Sequence, residues 1–298
     1  MSSLTMGGRI IKAISGFYYV YVAGAGIITC RAKGVFRKNK ITPLVGDQVK
    51  IEIISMEEKE GNVVSVEERK NSLIRPSVAN VDLALVIFAM KEPNPNFNIL
   101  NKYLVSMEKQ GVESIICFNK EDLCTKEEID YLKSEFSKTP YKVFFISVKD
   151  KKGIAEVKKE LKGKTATVAG PSGAGKSSLI NEIVPDGNEE TGEISEKIKR
   201  GKQTTRHTRL IVVDEDTFII DTPGFTSMSI DDILCQELWN YFPEFTEYEK
   251  ECRFVGCAHI NEPDCGIKEA LKRGEISKLR YDNYTEIYQE LKQVRRYR

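Results

Sequence analysis

Between Gly8 and Val66, apolar and polar residues alternate in short runs: Arg9 to Ile14, Phe17 to Val22, Gly26 to Arg31, Gln48 to Ile54 and Gly61 to Val66. A period of two turns every second side chain to one face, which is the pattern of a half-buried strand. Five such runs joined by glycine-bearing turns within about 60 residues suit a small closed β-barrel, expected here as an OB-fold. A generic all-β module is the alternative. Arg69 to Asn80 reads as a linker. Beyond it, buried strands alternate with helical stretches, as in a doubly wound α/β sheet. The strands are expected over Val81 to Met90, Ser114 to Phe118, Lys142 to Ser147 and Lys164 to Ala169, and the helices over Asn98 to Lys109, Lys126 to Ser137, Gly153 to Leu161 and Lys176 to Ile183. Thr208 to Val213 and Thr217 to Asp221 predict a hairpin around the acidic turn Asp214-Glu215-Asp216, and from about Asp231 the pattern turns helical. The expected domains are therefore residues 1–68, 69–228 and 229–298.

A chain of 298 residues exceeds one average domain of about 150. Lys+Arg 45 against Asp+Glu 44 leaves a formal charge of +1, so attraction to nucleic acid must come from local patches. Residues 1–56 carry Arg9, Lys12, Arg31, Lys33, Arg37, Lys38, Lys40 and Lys50 against only Asp47 and Glu52, and the tail holds Lys292, Arg295, Arg296 and Arg298. Met1 to Gly8 contains no basic segment followed by an apolar stretch, and the longest oily run, Val81 to Met90, is too short to span a bilayer. A cytoplasmic monomer with no membrane role is expected.

The firmest chemical signal is Gly170-Pro171-Ser172-Gly173-Ala174-Gly175-Lys176-Ser177, which fits the phosphate-binding pattern G-x-x-x-x-G-K-[ST] between a predicted strand and a predicted helix. There, glycines let the backbone wrap phosphates, helix N-terminal amides with Ser178 beside them point at the anion, Lys176 reaches the β and γ phosphates, and Ser177 ligates Mg²⁺. Asn119-Lys120-Glu121-Asp122 fits the N-K-x-D guanine reader. The Asp122 carboxylate can accept from guanine N1–H and the exocyclic amine together, a pair that adenine does not offer. Asn119 would bind the base edge and brace the phosphate loop, and the Lys120 stem would lie along the ring. Ser147 stands where such sites place a short serine motif, although Val148-Lys149 match that motif poorly.

Asp221-Thr222-Pro223-Gly224 is a D-x-x-G after a strand, with Asp221 expected to hold the Mg²⁺ shell through water and the Gly224 amide to sense the γ-phosphate. Thr204 and Thr205 are candidates for a switch threonine, the second preferred, within a polar segment suited to an order–disorder transition. Phe225 stands where many GTPases carry a water-orienting Gln, which leaves Gln203 and His207 as the polar substitutes. Weak intrinsic turnover follows.

Of the 7 cysteines, Cys252, Cys257 and Cys265 lie around His259 as C-x4-C-x-H-x5-C. Four soft ligands suit a closed structural zinc and leave no open position for catalysis. An odd cysteine number with such a cluster favours a metal in a reducing compartment over disulfides. After it, Leu279, Tyr284, Ile287, Tyr288, Leu291 and Val294 recur at helical spacing opposite Lys278, Arg280, Lys292 and Arg295. That basic face, with Arg31 to Lys40, is a candidate grip on RNA phosphates.

The guanine reader precedes the phosphate loop, the reverse of the ordinary GTPase order, so the domain reads as circularly permuted. The series N-K-x-D, phosphate loop, Thr204-Thr205, D-x-P-G and C-x4-C-x-H-x5-C, with Phe242-Pro243-Glu244-Phe245 ahead of the first cysteine, closely resembles the ribosome small-subunit-dependent GTPase A family of bacterial circularly permuted GTPases. The resemblance covers nearly the whole chain. It implies an OB-fold β-barrel, a circularly permuted P-loop GTPase domain of α/β class and a mainly helical zinc-binding domain. It also implies GTP/GDP, Mg²⁺ and one structural Zn²⁺, and a late assembly factor that binds the 30S subunit and its 16S rRNA and hydrolyses GTP when stimulated by it. Members usually carry a histidine directly before the threonine pair, where this chain has Gln203. One rival is an RNA-binding scaffold on which GTP turns over slowly. A second, a P-loop kinase, has no substrate motif in its favour.

Overall fold

The computed structural model describes residues 4–34, 36, 42–73, 77–184, 208–221 and 230–294. In chain order it contains β1 (Thr5–Ile14), β2 (Phe17–Val22), β3 (Gly26–Ala32), β4 (Gln48–Ser55), β5 (Glu60–Val66), β6 (Ser72–Leu73), β7 (Val78–Ala79), β8 (Leu83–Ala89), α1 (Phe97–Lys109) and β9 (Glu113–Asn119). There follow α2 (Lys126–Phe136), β10 (Lys142–Phe145), α3 (Ile154–Leu161), β11 (Thr165–Ala169), α4 (Lys176–Ile183), β12 (Arg209–Val212), β13 (Phe218–Asp221), α5 (Thr246–Glu249), α6 (Gly266–Arg273) and α7 (Lys278–Val294). Two compact units result: Met1–Ala84 with Glu156–Val168 and Ser177–Thr226, and Leu85–Ala155 with Ala169–Lys176 and Ser227–Arg298.

In the first unit the five amino-terminal strands pair in the order β1-β2-β3-β5-β4, and a β1–β4 ladder closes the barrel. Only β3 and β5 run parallel; the other pairs are antiparallel. This is the OB-fold. The alternation read in the sequence becomes a core of Ile10, Val20, Ile28, Cys30, Val49, Ile51 and Val63. The barrel continues through β1 to β12, then β13 and β11. The hairpin is antiparallel, with Arg209 opposite Asp221, and β13 lies parallel to β11.

Residues 69 to 80 are not a free linker. Arg69 donates from Nε to Asp47 Oδ1 at 2.7 Å and from Nη2 to Oδ2 at 2.8 Å, and Asp47 is fully buried. β6 and β7 pair, Leu73 and Val78 are buried, and Ala79 N donates to Val45 O at 2.9 Å. Gly46, at φ +93°, lets this segment approach, because a Cβ there would meet Ala79 O at 2.0 Å. A buried anion on the barrel claims the cation of the next segment, a long-range pairing that composition does not reveal.

In the second unit, β10 lies parallel to β9, which neighbours β8. Nearly every residue of β8 and β9 is buried, as expected for strands covered on both faces. Asn96 caps α1 by accepting from Ile99 N at 3.0 Å, and Thr125 with Glu128 forms a capping box on α2. The carboxy-terminal helices share a core containing Leu238, Phe242, Phe245, Ile267, Tyr284 and Ile287. Arg280 belongs inside that core, not on the expected basic face. It is fully buried, donates from Nε to Glu244 Oε1 at 2.6 Å and to Asn101 Oδ1, and its guanidinium lies 4.4 Å from the Phe242 ring centre. Residues 280, 284, 287 and 291 fall on one helical stripe, so the arginine occupies a core position whose charge Glu244 neutralises.

Candidate functional site

The loop from Gly170 to Lys176 joins β11 to α4, as the motif requires. Ala174 is fully buried, Pro171 half-buried, and Ser172 and Gly173 exposed, while Ser177 and Ser178 stand exposed on the first turn of α4. Lys176 Nζ donates to Gly170 O and Pro171 O, each at 2.7 Å, so the ammonium is held over the loop. Burial pushes its pKa down from the usual lysine value, which makes a compensating anion favourable there.

β9 ends at Asn119, whose side chain joins the two motifs. Its Nδ2 donates to Ala174 O at 2.9 Å, and its Oδ1 accepts from Lys120 N at 2.8 Å and Val148 N at 3.2 Å. Gly175, at φ +95°, is required by this arrangement, since a Cβ there would stand 2.2 Å from Asn119 Nδ2. Lys120 is left-handed at φ 64° and donates from Nζ to Glu92 O. Ser147 donates from Oγ to Asp122 Oδ1 at 2.8 Å, with Asp150 Oδ2 at 3.1 Å, and Lys149 Nζ is 3.9 Å from Asp122 Oδ2. Ser147 thus touches the Asp122 carboxylate despite its poor motif. Parallel pairing explains this, because β9 and β10 carry Asn119 and Ser147 out at the same end. Asp150, whose N–H donates to Ser147 Oγ at 3.1 Å, was not foreseen; its offset of three from a serine was the available signal.

Asp221 ends β13 and accepts from Arg209 Nε at 2.8 Å and Nη2 at 2.6 Å, both bonds on Oδ2. The sequence reading missed Arg209, although a hairpin symmetric about Glu215 places it opposite Asp221. The carboxylate of Asp221 and the exposed hydroxyl of Ser177 are hard oxygen donors of the kind Mg²⁺ takes. Gln203, Thr204, Thr205, His207 and Gly224 lie outside the described residues.

Cys252, Cys257, His259 and Cys265 converge, their ligand atoms lying within 4.8 Å of one another. His259 Nδ1 is 3.5 Å from Cys252 Sγ and 3.4 Å from Cys265 Sγ, and the Cys252–Cys265 sulfur distance of 3.9 Å is too long for a disulfide. Burial lowers the His259 pKa to about 4, which keeps the imidazole neutral and able to ligate. The Glu262 carboxylate fixes the ligand loop by accepting from Ala258 N, Ile260 N and Asn261 N at 3.0, 3.0 and 3.1 Å. Three sulfurs and one imidazole, all but Cys252 buried, fit a structural metal.

Of the amino-terminal cations, Arg9 is turned inward, bonded to Thr165 Oγ1 with its guanidinium 4.8 Å from the Phe218 ring centre. Lys33 pairs with Glu52. Arg31 lies 4.7 Å from the Phe17 ring centre and lines a groove of about 700 Å³ with Phe17, Tyr18, Lys33 and Pro43. Arg37, Lys38, Lys40, Arg295, Arg296 and Arg298 lie outside the described residues.

The chain matches the RsgA GTPase family model over residues 66–231 and the RsgA N-terminal domain model over residues 7–63. It belongs to the RsgA GTPase family. The small ribosomal subunit biogenesis GTPase RsgA of Agathobacter rectalis is 53% identical over 302 residues, covering 98% of this chain and 100% of that protein. The protein of the same description from Alkaliphilus metalliredigens is 44% identical over 97% of this chain and 99% of its own length. Among solved structures, YjeQ from Thermotoga maritima superposes with a TM-score of 0.82 at 35% identity, over 97% of this chain and 99% of that one. YloQ, described as a circularly permuted GTPase, gives 0.80 at 35% identity over 97% and 96%. As a member of the RsgA GTPase family, the chain is a GTP hydrolase of permuted topology that binds guanine nucleotide with Mg²⁺. Among the described residues no helix is long and apolar enough to cross a membrane.

Proposed function

We infer that this GTPase acts in late maturation of the small ribosomal subunit, binding the 30S particle and its 16S rRNA in the cytoplasm as a monomer and hydrolysing GTP when that particle stimulates it. The names of its relatives support the partner. The observation that carries the site is the 2.9 Å bond from Asn119 Nδ2 to Ala174 O. It ties Asn119 to the phosphate loop although 55 positions separate the two residues.

In this reading Asp122, oriented by Ser147, accepts from the guanine N1–H and amine, Asn119 meets the base edge, and the Lys120 stem covers the ring. The backbone from Gly170 to Gly175, with the amides of Lys176, Ser177 and Ser178, wraps the phosphates, and Lys176 Nζ exchanges its two carbonyl contacts for phosphate oxygens. Ser177 would ligate Mg²⁺ and Asp221 would hold its shell through water, the ion supplying charge neutralisation on the phosphates when bound. Gly224 senses the γ-phosphate, Thr205 is the switch threonine that would meet Mg²⁺ when GTP is bound, and Gln203 or His207 positions the attacking water. Cys252, Cys257, His259 and Cys265 hold one structural Zn²⁺. The functional modules are a barrel over residues 1–68, the GTPase domain over 69–228 and the zinc-binding domain over 229–298, with the barrel groove at Arg31 contributing to RNA contact.

The test is GTP hydrolysis by the purified chain alone, with 30S subunits and with 50S subunits, ATP serving as competitor. Strong stimulation by 30S alone is expected. No stimulation by 30S would favour an RNA-binding scaffold on which GTP is a slowly turned-over ligand.

A further inference from the structure

The D-x-x-G aspartate is already engaged by a cation of its own chain. Arg209 and Asp221 are direct cross-strand partners on β12 and β13, and Arg209 places both Nε and Nη2 on the single oxygen Oδ2, at 2.8 and 2.6 Å. The pair is sheltered, with side-chain exposures of 13% for Arg209 and 26% for Asp221. On its other side Arg209 is the register partner of Lys12 on β1. Direct partners in a sheet present their side chains to the same face, so Lys12, Arg209 and Asp221 form a row of two cations and one carboxylate. Lys12 is itself drawn towards the Tyr19 ring, 5.0 Å from its centre, which leaves Arg209 as the cation on Asp221 in this row.

We propose that Arg209 competes with Mg²⁺ for Asp221 and thereby sets how much Mg²⁺ the chain needs to hold guanine nucleotide tightly. The inference rests on the reading above in which Asp221 contributes to Mg²⁺ binding. Two effects act in the same direction. The guanidinium neutralises much of the negative charge that would draw a divalent ion, and it occupies Oδ2 with a two-point, charge-assisted contact that fixes the carboxylate. A divalent ion approaching the remaining oxygen meets a fixed positive charge within a few ångströms, in a setting where water screens poorly. No other GTPase motif supplies this cation. It comes from the strand that the hairpin lays beside D-x-x-G.

The experiment titrates Mg²⁺ against the full chain and a fluorescent GDP analogue, and reads the Mg²⁺ concentration at half-maximal enhancement of nucleotide affinity. Arg209→Gln should lower that midpoint about tenfold, the scale of one unscreened neighbouring charge, while affinity in EDTA stays within about twofold of wild type. Arg209→Lys keeps the charge but loses the two-point contact, and should lower the midpoint by about two- to threefold. Asp221→Asn should abolish most of the Mg²⁺ enhancement with either residue at 209. A midpoint unchanged or raised in Arg209→Gln, with Asp221→Asn behaving as expected, overturns the competition and leaves the nucleotide site standing. If Arg209→Gln fails to fold by circular dichroism, Arg209→Lys decides, and a midpoint at or above wild type overturns the proposal. Full Mg²⁺ enhancement in Asp221→Asn would overturn both this inference and the role assigned to Asp221.

Discussion

At the scale of single residues, base selection on the proposed function turns on how Asp122 is held. Ser147 Oγ has one proton to give, and Asp122 Oδ1 at 2.8 Å is nearer than Asp150 Oδ2 at 3.1 Å. The bond fixes the carboxylate plane so that both oxygens can meet the two donors on the guanine edge. Sites built on such paired hydrogen bonds reject the wrong partner by roughly 10⁴ or more, because a mismatched base leaves the buried group unpaired. Asp122→Asn replaces one acceptor oxygen with a donor amide facing guanine N–H groups. GDP affinity should fall at least about a hundredfold, with the GTP/ATP preference falling in proportion, as read by competition binding. An unchanged ratio would remove Asp122 from the role. The motif predicts that Asn119 braces the phosphate loop, and its bond to Ala174 O does so; what the motif leaves unsaid is the bond it accepts from Val148 N, which adds a third segment.

At the scale of elements, the strands and helices were largely legible because burial period and capping chemistry are local. The five barrel runs appear as β1 to β5 within a few residues, and the hairpin forms around the predicted acidic turn. What escaped was long-range neutralisation. Arg280 reads as part of a basic face until Glu244, 36 positions away, is brought against it. Arg69 likewise reads as linker until it meets the buried Asp47. The same kind of contact joins α2 to α7, where Glu135 Oε2 accepts from Ser277 Oγ at 2.7 Å and Leu279 N at 2.9 Å. Burial alone would raise the Glu135 pKa, but these hydrogen bonds and the nearby Lys138 outweigh it and hold the group below the ordinary glutamate value. A carboxylate depressed on folding stabilises above its unfolded pKa and loses that contribution as pH falls through its folded one. Glu135→Gln should therefore cost about 1 to 2 kcal/mol at pH 7, and the gap to wild type should close in acid, as pH falls through the depressed folded value. Urea melts at neutral and at acid pH read this, and a gap that persists in acid would assign the loss to packing.

At the scale of the whole molecule, the permutation changes what the nucleotide can move. In the ordinary order the chain continues from D-x-x-G towards the guanine reader. Here it continues from Gly224 into the segment bearing Cys252, Cys257, His259 and Cys265, whose four convergent ligands and Glu262-held loop would, on the proposed zinc binding, make a stiff element. On the proposed function, a γ-phosphate sensed at Gly224 is thus coupled by direct chain continuity to the carboxy-terminal domain, while the basic barrel precedes the guanine reader at the other end. On that same proposal, only the GTP-bound form grips RNA with both ends. Coupling free energies between sites are typically 1 to 3 kcal/mol, so affinity for purified 30S subunits should be about 5- to 150-fold higher with a non-hydrolysable GTP analogue than with GDP. Cys257→Ser, which weakens the stiff element without touching the nucleotide motifs, should shrink that ratio more than it changes nucleotide affinity. Equal 30S affinity in the two nucleotide states would sever the lever, because a ligand with no differential affinity cannot shift the equilibrium between two forms.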